Sequence, residues 1–168
     1  VGQRTRAGAL MFATLSLAAA TVAMGLAAGL FYTFSVAVMP GVARARDAAF
    51  VEVMHHINTA ILNPRFALAF GGAIVLSVLA LIAHLVGDAS SAAVPWIGAA
   101  VACYLACLII TGRANIPLNN AIDRAGPTPA DPAGVRAAFE ARWSRWNDVR
   151  TATSTAALAC LVVALVVG

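Results

Sequence analysis

Asn147 and Arg150 lie three residues apart, with Trp143 four residues before Asn147. On an α-helix those separations put all three side chains on one face. An amide and a guanidinium there can donate hydrogen bonds to a developing oxyanion, and an indole beside them gives a flat apolar wall. Together they favour an enolate or phenolate, and Trp146 extends the wall. The competing explanation is anchoring, because Trp and Arg also collect at membrane interfaces. Five more amides, Asn58, Asn63, Asn115, Asn119 and Asn120, flank apolar segments. Asn63 precedes Pro64 and reads as a helix cap. Asn58, Asn115 and Asn119 are candidates to bind the carbonyl or phenol of a planar ligand, against the alternative that they cap helix ends and loop carbonyls. A base for such a ligand is to be sought among His55, His56 and Asp148. His55 and His56 are adjacent, so on a helix they point about 100° apart; either stands three or four residues from Glu52. His84 lies near the far end of another apolar block, which excludes a three-histidine site within one monomer.

These residues hang on a chain built for lipid. Of its 168 residues 61% are hydrophobic and 11% charged, against about half and about a quarter in an ordinary soluble domain. The apolar residues come in blocks: 7–43, 66–87, 89–112 and 151–168 contain no Asp, Glu, Lys or Arg. A spanning helix needs about 20 such residues. The expected fold is therefore all-α, a single four-transmembrane-helix bundle with spans at about 9–38, 64–86, 95–112 and 149–167. The first block is far longer than the 7–15 apolar residues of a signal-peptide core, so it is expected to stay as a span. Met39, Pro40 and Gly41 are expected to stop it. Gly25 and Gly29 form a small-residue pair that lets another helix approach closely.

Two amphipathic interfacial helices are expected on one membrane face, at about 44–62 and 132–148. In the first, Phe50, Val53, Met54, Ile57 and Ile61 recur at helical spacing. In the second, Val135, Phe139, Trp143, Trp146 and Arg150 form the stripe, and this helix can run on into the fourth span. Between them, residues 113–132 read as the longest irregular stretch, with Pro117, Pro127, Pro129 and Pro132.

The net charge of +4 comes from eleven Arg and no Lys. Nine Arg lie in or beside the two long connections; Arg4 and Arg6 lie on the other side. The positive-inside rule then puts both long connections in the cytoplasm and both termini outside the cell membrane. No basic stripe with stacking aromatics sits on a soluble fold, so nucleic acid is not an expected partner. No charged residue lies deep in a span, which argues against an ion-coupled transporter. Cys103, Cys107 and Cys160 all lie in apolar blocks, where Cys is a small hydrophobe, and they form neither a disulfide framework nor a zinc site.

Four segments together resemble the DUF1772, or anthrone oxygenase-like, membrane family: Gly29–Pro40 (GLFYTFSVAVMP), Met54–Pro64 (MHHINTAILNP), Asn115–Asn119 (NIPLN) and Trp143–Arg150 (WSRWNDVR). They occur in the family's order and cover nearly the whole chain. The resemblance implies a four-helix membrane protein whose named relatives oxidise anthrones to anthraquinones with O₂ and no obvious metal or flavin. On that reading His55, Asn58, Asn147 and Arg150 are the expected catalytic group. Tyr32, Asn115, Asn119, Trp143 and Trp146 are the expected substrate contacts. No metal ligand set and no cofactor besides molecular oxygen as co-substrate are expected. The expected partners are the lipid bilayer and a small apolar aromatic molecule, with a homo-oligomer allowed by the small-residue face. Two other readings stay open: a non-catalytic membrane protein that binds lipid or partner subunits, and a metal- or haem-dependent redox protein that builds its site across subunits.

Overall fold

A computed structural model describes residues 2–87 and 90–168, without the side chains of residues 2–6. Arg4 and Arg6, part of the charge-asymmetry argument, and Asp88 and Ala89 in the turn before the third span therefore lie outside the described side chains. Among the described residues seven α-helices follow one another: α1 (Gly2–Thr33), α2 (Met39–Val42), α3 (Asp47–Ile61), α4 (Pro64–Val86), α5 (Val94–Ile110), α6 (Ile116–Ala125) and α7 (Pro132–Val167). A π-helical turn joins α1 to α2 at Phe34–Val38, and another joins α5 to α6 at Thr111–Asn115.

The starts of α4 and α7 follow from local chemistry. Asn63 Oδ1 accepts from the amides of Arg65 (3.0 Å) and Phe66 (3.1 Å), with Pro64 at the first helical position. Asp131 Oδ1 accepts from Gly134 N at 3.0 Å ahead of Pro132. Both caps satisfy amides that have no partner inside the helix.

Among the described residues four helical runs are long and apolar enough to cross a membrane: Ala7–Val42, Pro64–Val86, Val94–Ala125 and Pro132–Val167. They pack in a ring, α1 against α4, α4 against α5, α5 against α7 and α7 against α1. Small residues form the seams, among them Ala20, Ala27, Ala73, Ala80, Ala100, Ala157 and Ala164, all buried. Large apolar side chains such as Leu15, Val22, Leu26, Leu85 and Val166 point outward. Small residues inside and large apolar residues outside is the pattern of a bundle whose solvent is lipid. The protein is a multi-pass membrane protein.

Two expectations change. Pro40 does not stop the first span, because the π turn absorbs it. Proline lacks an N–H and crowds the carbonyl four residues back. The amide of Met39 instead closes a wider turn onto the carbonyl of Phe34, and the helix continues to Val42. The same device precedes Pro117, where the Ile116 amide reaches the carbonyl of Thr111. Residues 113–132 are accordingly not irregular throughout: the second π turn and α6 carry the chain to Ala125, and a loop remains only from Gly126 to Asp131. The second amphipathic segment and the fourth span are one helix, α7. Gly25 faces within the bundle, since a Cβ there would meet Leu158 at 3.8 Å.

A second cluster lies at one mouth of the ring, where α3 packs on α6 and α7. It contains Phe34, Met39, Phe50, Val51, Met54, Ile122, Phe139 and Trp143. The inward face of α3 is Phe50, Val51, Met54 and Asn58, so Val53 points outward and Asn58 takes a buried place.

Candidate functional site

The buried stripe of α7 runs Phe139, Trp143, Asn147, Arg150, Ser154. Those steps of three and four residues are one helical face. Asn147 is fully buried, whereas Trp146 is 38% exposed and turned outward.

Asn147 is the hub of a polar cluster between α7 and the end of α1. Its Nδ2 donates to the carbonyl of Phe31 (3.0 Å) and to Ser35 Oγ (2.8 Å). Ser35 Oγ lies 3.1 Å from Thr151 Oγ1. Asn147 Oδ1 accepts from Arg150 Nη2 at 2.8 Å. The guanidinium of Arg150 is 6% exposed and is sandwiched by rings, 4.4 Å from the centroid of Phe31 and 5.4 Å from that of Trp143. Its Nε has no protein partner, and no carboxylate pairs with it among the described residues.

Arg150 lines a cavity of about 130 Å³ at the mouth of the bundle. Around it stand Phe31, Phe34, Met54, Ile57, Phe66, Phe70, Ile116 and Trp143, with the polar groups of Asn58, Thr111 and Asn119. Trp143 is fixed from behind, its Nε1 donating to Asn119 Oδ1 at 2.7 Å. Each π turn contributes its first residue, Phe34 or Thr111, to the wall. A few convergent polar groups in an apolar slot are the usual makings of a small-molecule site.

Of the residues expected from sequence, Asn58, Asn119, Trp143 and Arg150 come together on this cavity. Asn147 stands behind Arg150 and holds it. Asn115 is fully buried between the second π turn and α7, with Nδ2 3.4 Å from the carbonyl of Trp143 and Oδ1 without a protein partner. Tyr32 is 56% exposed and points away from the cavity's lining. Trp146 lines a separate groove with Arg113 and Arg142. Asp148 lines another groove on the far side of Asn147, with Ser35, Glu140 and Ser144.

His55 sits just outside the cavity. Its Nδ1 is 3.4 Å from Asp123 Oδ1 without hydrogen-bond alignment. Asn58 Nδ2 is 3.4 Å from the same carboxylate oxygen and 3.3 Å from the carbonyl of Asn119. The sequence offers Glu52 as a neighbour for either His55 or His56 and does not single out Asp123. The available signal was the step of four from Asn119 to Asp123 on a short amphipathic helix. Nor does the sequence single out Phe31, Phe34, Thr111, Phe66 and Phe70, which are apolar or capping residues until the π turns and the α3–α4 corner aim them. No group of three His, Cys, Asp or Glu converges as metal ligands would among the described residues.

The fold and the mouth cavity define a four-helix membrane protein with a buried, cation-lined apolar site. A family model for anthrone oxygenases matches residues 64–160, more than half of the chain, and the chain belongs to that family. The matched region contains the Asn115–Asn119 and Trp143–Arg150 segments. No curated protein sequence and no solved structure matches the chain.

Proposed function

We propose that this protein is a membrane-embedded, cofactor-independent oxygenase of an anthrone-like or quinol-like planar aromatic substrate, with O₂ as co-substrate. Arg150 carries the reading. It is a buried cation bonded to one neutral amide, flanked by two rings, and facing an apolar cavity. A buried charge is costly unless paired, and a substrate oxyanion held against it would supply the missing partner. On the same wall Asn58 Oδ1 can accept from a substrate hydroxyl and Asn119 Nδ2 can donate to a substrate oxygen, the other atoms of both amides being engaged within the protein.

The chemistry is balanced as follows. An anthrone has acidic C–H bonds para to an aromatic ketone across the central ring. Loss of one proton gives an enolate, which Arg150 stabilises as an oxyanion; the proton passes by way of one water to the His55–Asp123 pair, which stands behind Asn58 and outside the lining. The enolate gives one electron to O₂, and the radical and superoxide combine through a new C–O bond. The stored proton returns to the peroxide. The hydroperoxide then loses its remaining C–H proton and hydroxide as water, leaving a second carbonyl. One O₂ is consumed per quinone and per water formed.

Binding without chemistry is the second reading, favoured by the lack of any His, Asp or Glu among the residues that line the cavity. Purified protein in lipid nanodiscs, given an anthrone, separates the two. Oxygen uptake and quinone absorbance should rise one-to-one, about 10²-fold faster than with Arg150→Met. Uptake no faster than with empty nanodiscs, although the anthrone binds, would establish the second reading. The Arg distribution further supports a topology with both long connections in the cytoplasm and both termini outside.

A further inference from the structure

The mouth of the bundle faces water, yet α3 and α6 close it. Asn58 contacts the carbonyl of Asn119 and the carboxylate of Asp123, and His55 lies 3.4 Å from that carboxylate. Arg136 pins the corner before α3. It donates to the carbonyls of Ala43 (2.7 Å) and Ala45 (2.9 Å) and to Asp47 Oδ1 (2.9 Å), and its Nε meets Glu140 Oε2 at 2.6 Å. A route from the water would have to break these contacts.

A second approach is bounded by apolar side chains. A groove of about 590 Å³ runs along the outer face of α4 from the Asn63–Pro64 corner to Gly71. It shares Leu62, Phe66 and Phe70 with the mouth cavity. Its other side chains are nearly all apolar, and it lies on the first two turns of a helix that crosses the membrane. Phe66 and Phe70 stack on each other at 5.1 Å and 12°, and both line the groove and the cavity. The larger groove at Arg113 and Trp146 and the one at Asp148 share no residue with the cavity.

Resting on the oxygenase reading above, we propose that the site takes its ligand sideways from the bilayer, past Leu62, Phe66 and Phe70. The ligand class is accordingly a flat, lipid-dissolved aromatic that is neutral when it enters and meets its first charge at Arg150. A charged or strongly hydrated substrate would not partition into this groove.

Gly71 offers a clean test. It lines the groove but not the cavity, and a Cβ there has open space around it, as it does at Gly72. Gly71→Leu fills the groove, while Gly72→Leu, about 100° around the helix, is the control. Both replace glycine by a better helix former. The probe is 1,8-dihydroxyanthraquinone pre-loaded in lipid vesicles. The readout is quenching of Trp143 in nanodisc protein that also carries Trp96→Phe and Trp146→Phe, so catalysis is not needed. Gly71→Leu should slow quenching at least tenfold, and Gly72→Leu should leave it unchanged. Equal rates in the two, slowing by both alike, or no quenching in any protein would overturn the proposal. Oxygen uptake with an anthrone, measured separately on the same proteins, tests the oxygenase reading; turnover by both variants at the unsubstituted rate would uphold that reading and sink the lateral route.

Discussion

Arg150→Met removes a charge and keeps most of the side chain's volume, so it tests whether the guanidinium stabilises a ligand oxyanion. A ligand oxygen in contact with Arg150 would sit about 4 Å from the centre of its charge. At an effective dielectric of about 20, the attraction is about 4 kcal/mol. That corresponds to about three pKa units, and salt should alter it little because the cavity is buried. The sign is fixed: a nearby cation favours the ionised form of an acid, so a bound phenol or enol has a lower pKa in the unsubstituted protein. Burial raises the ligand's pKa in both proteins, and the difference between them isolates the charge. A bound hydroxyanthraquinone changes colour on ionisation, so its apparent pKa can be read by absorption titration in nanodiscs. We expect it to be two to three units higher in Arg150→Met, on the order of the Coulomb figure. Arg150→Lys should fall between, since it keeps the charge but loses the planar fork and its bond to Asn147. Circular dichroism guards against unfolding. The substitution leaves Asn147 Oδ1 unpartnered, which costs about 1–3 kcal/mol, and relieves an unpaired buried charge, which offsets it. A difference below half a unit, with the ligand bound in both proteins, would refute the assignment of Arg150.

Two further perturbations probe what positions Arg150 and what closes the mouth. Asn147→Ala removes two neutral hydrogen bonds and one charge-assisted bond, and should destabilise the fold by about 3 kcal/mol; a thermal-melt shift of only a degree or two would show the hub to be dispensable. Arg136→Lys cannot reach two carbonyls and two carboxylates at once, so about 2 kcal/mol of local stability over α3 should be lost. Hydrogen exchange of the α3 amides should then run about 30-fold faster while that of α4 is unchanged; unchanged α3 exchange would mean that the mouth is held by other contacts.

The spans were legible in sequence because hydropathy over about 20 residues reports directly on the solvent a helix faces. The caps at Asn63 and Asp131 were legible for a similar reason, since capping is local chemistry. The inner face of α7 was legible only in part. Trp143, Asn147 and Arg150 share a face by spacing and are buried together, but Trp146, which fits the same apolar stripe, turns outward. Hydrophobicity favours the indole for burial, and nothing within α7 reveals that Phe31 and Ser35 offer Asn147 its partners. The α3 stripe failed likewise at Val53 and Asn58, because an amide becomes a core residue only when another helix brings it a carbonyl and a carboxylate. The partner of His55 came from α6, a helix that proline-counting had read as loop.

The two π turns explain why the polar groups meet where they do. Each occurs where a span running toward the mouth reaches a proline, and each hands its first residue to the cavity. The chain is thus two hairpins of similar plan, α1 to α4 and α5 to α7, each widened by a turn at the same level and each followed by residues that fold across the mouth. Opening a helix by one residue re-aims the side chains beyond it, and π turns recur at functional sites for that reason. With α3 and α6 laid over the widened ends, the water side is closed by side-chain hydrogen bonds, while the side chains of Phe66 and Phe70 make only apolar contacts and the hydrogen bond from Tyr104 at that seam goes to the backbone carbonyl of Phe70. A site so built excludes water from the enolate that Arg150 would hold, and it leaves the lipid as the phase from which an apolar substrate can come.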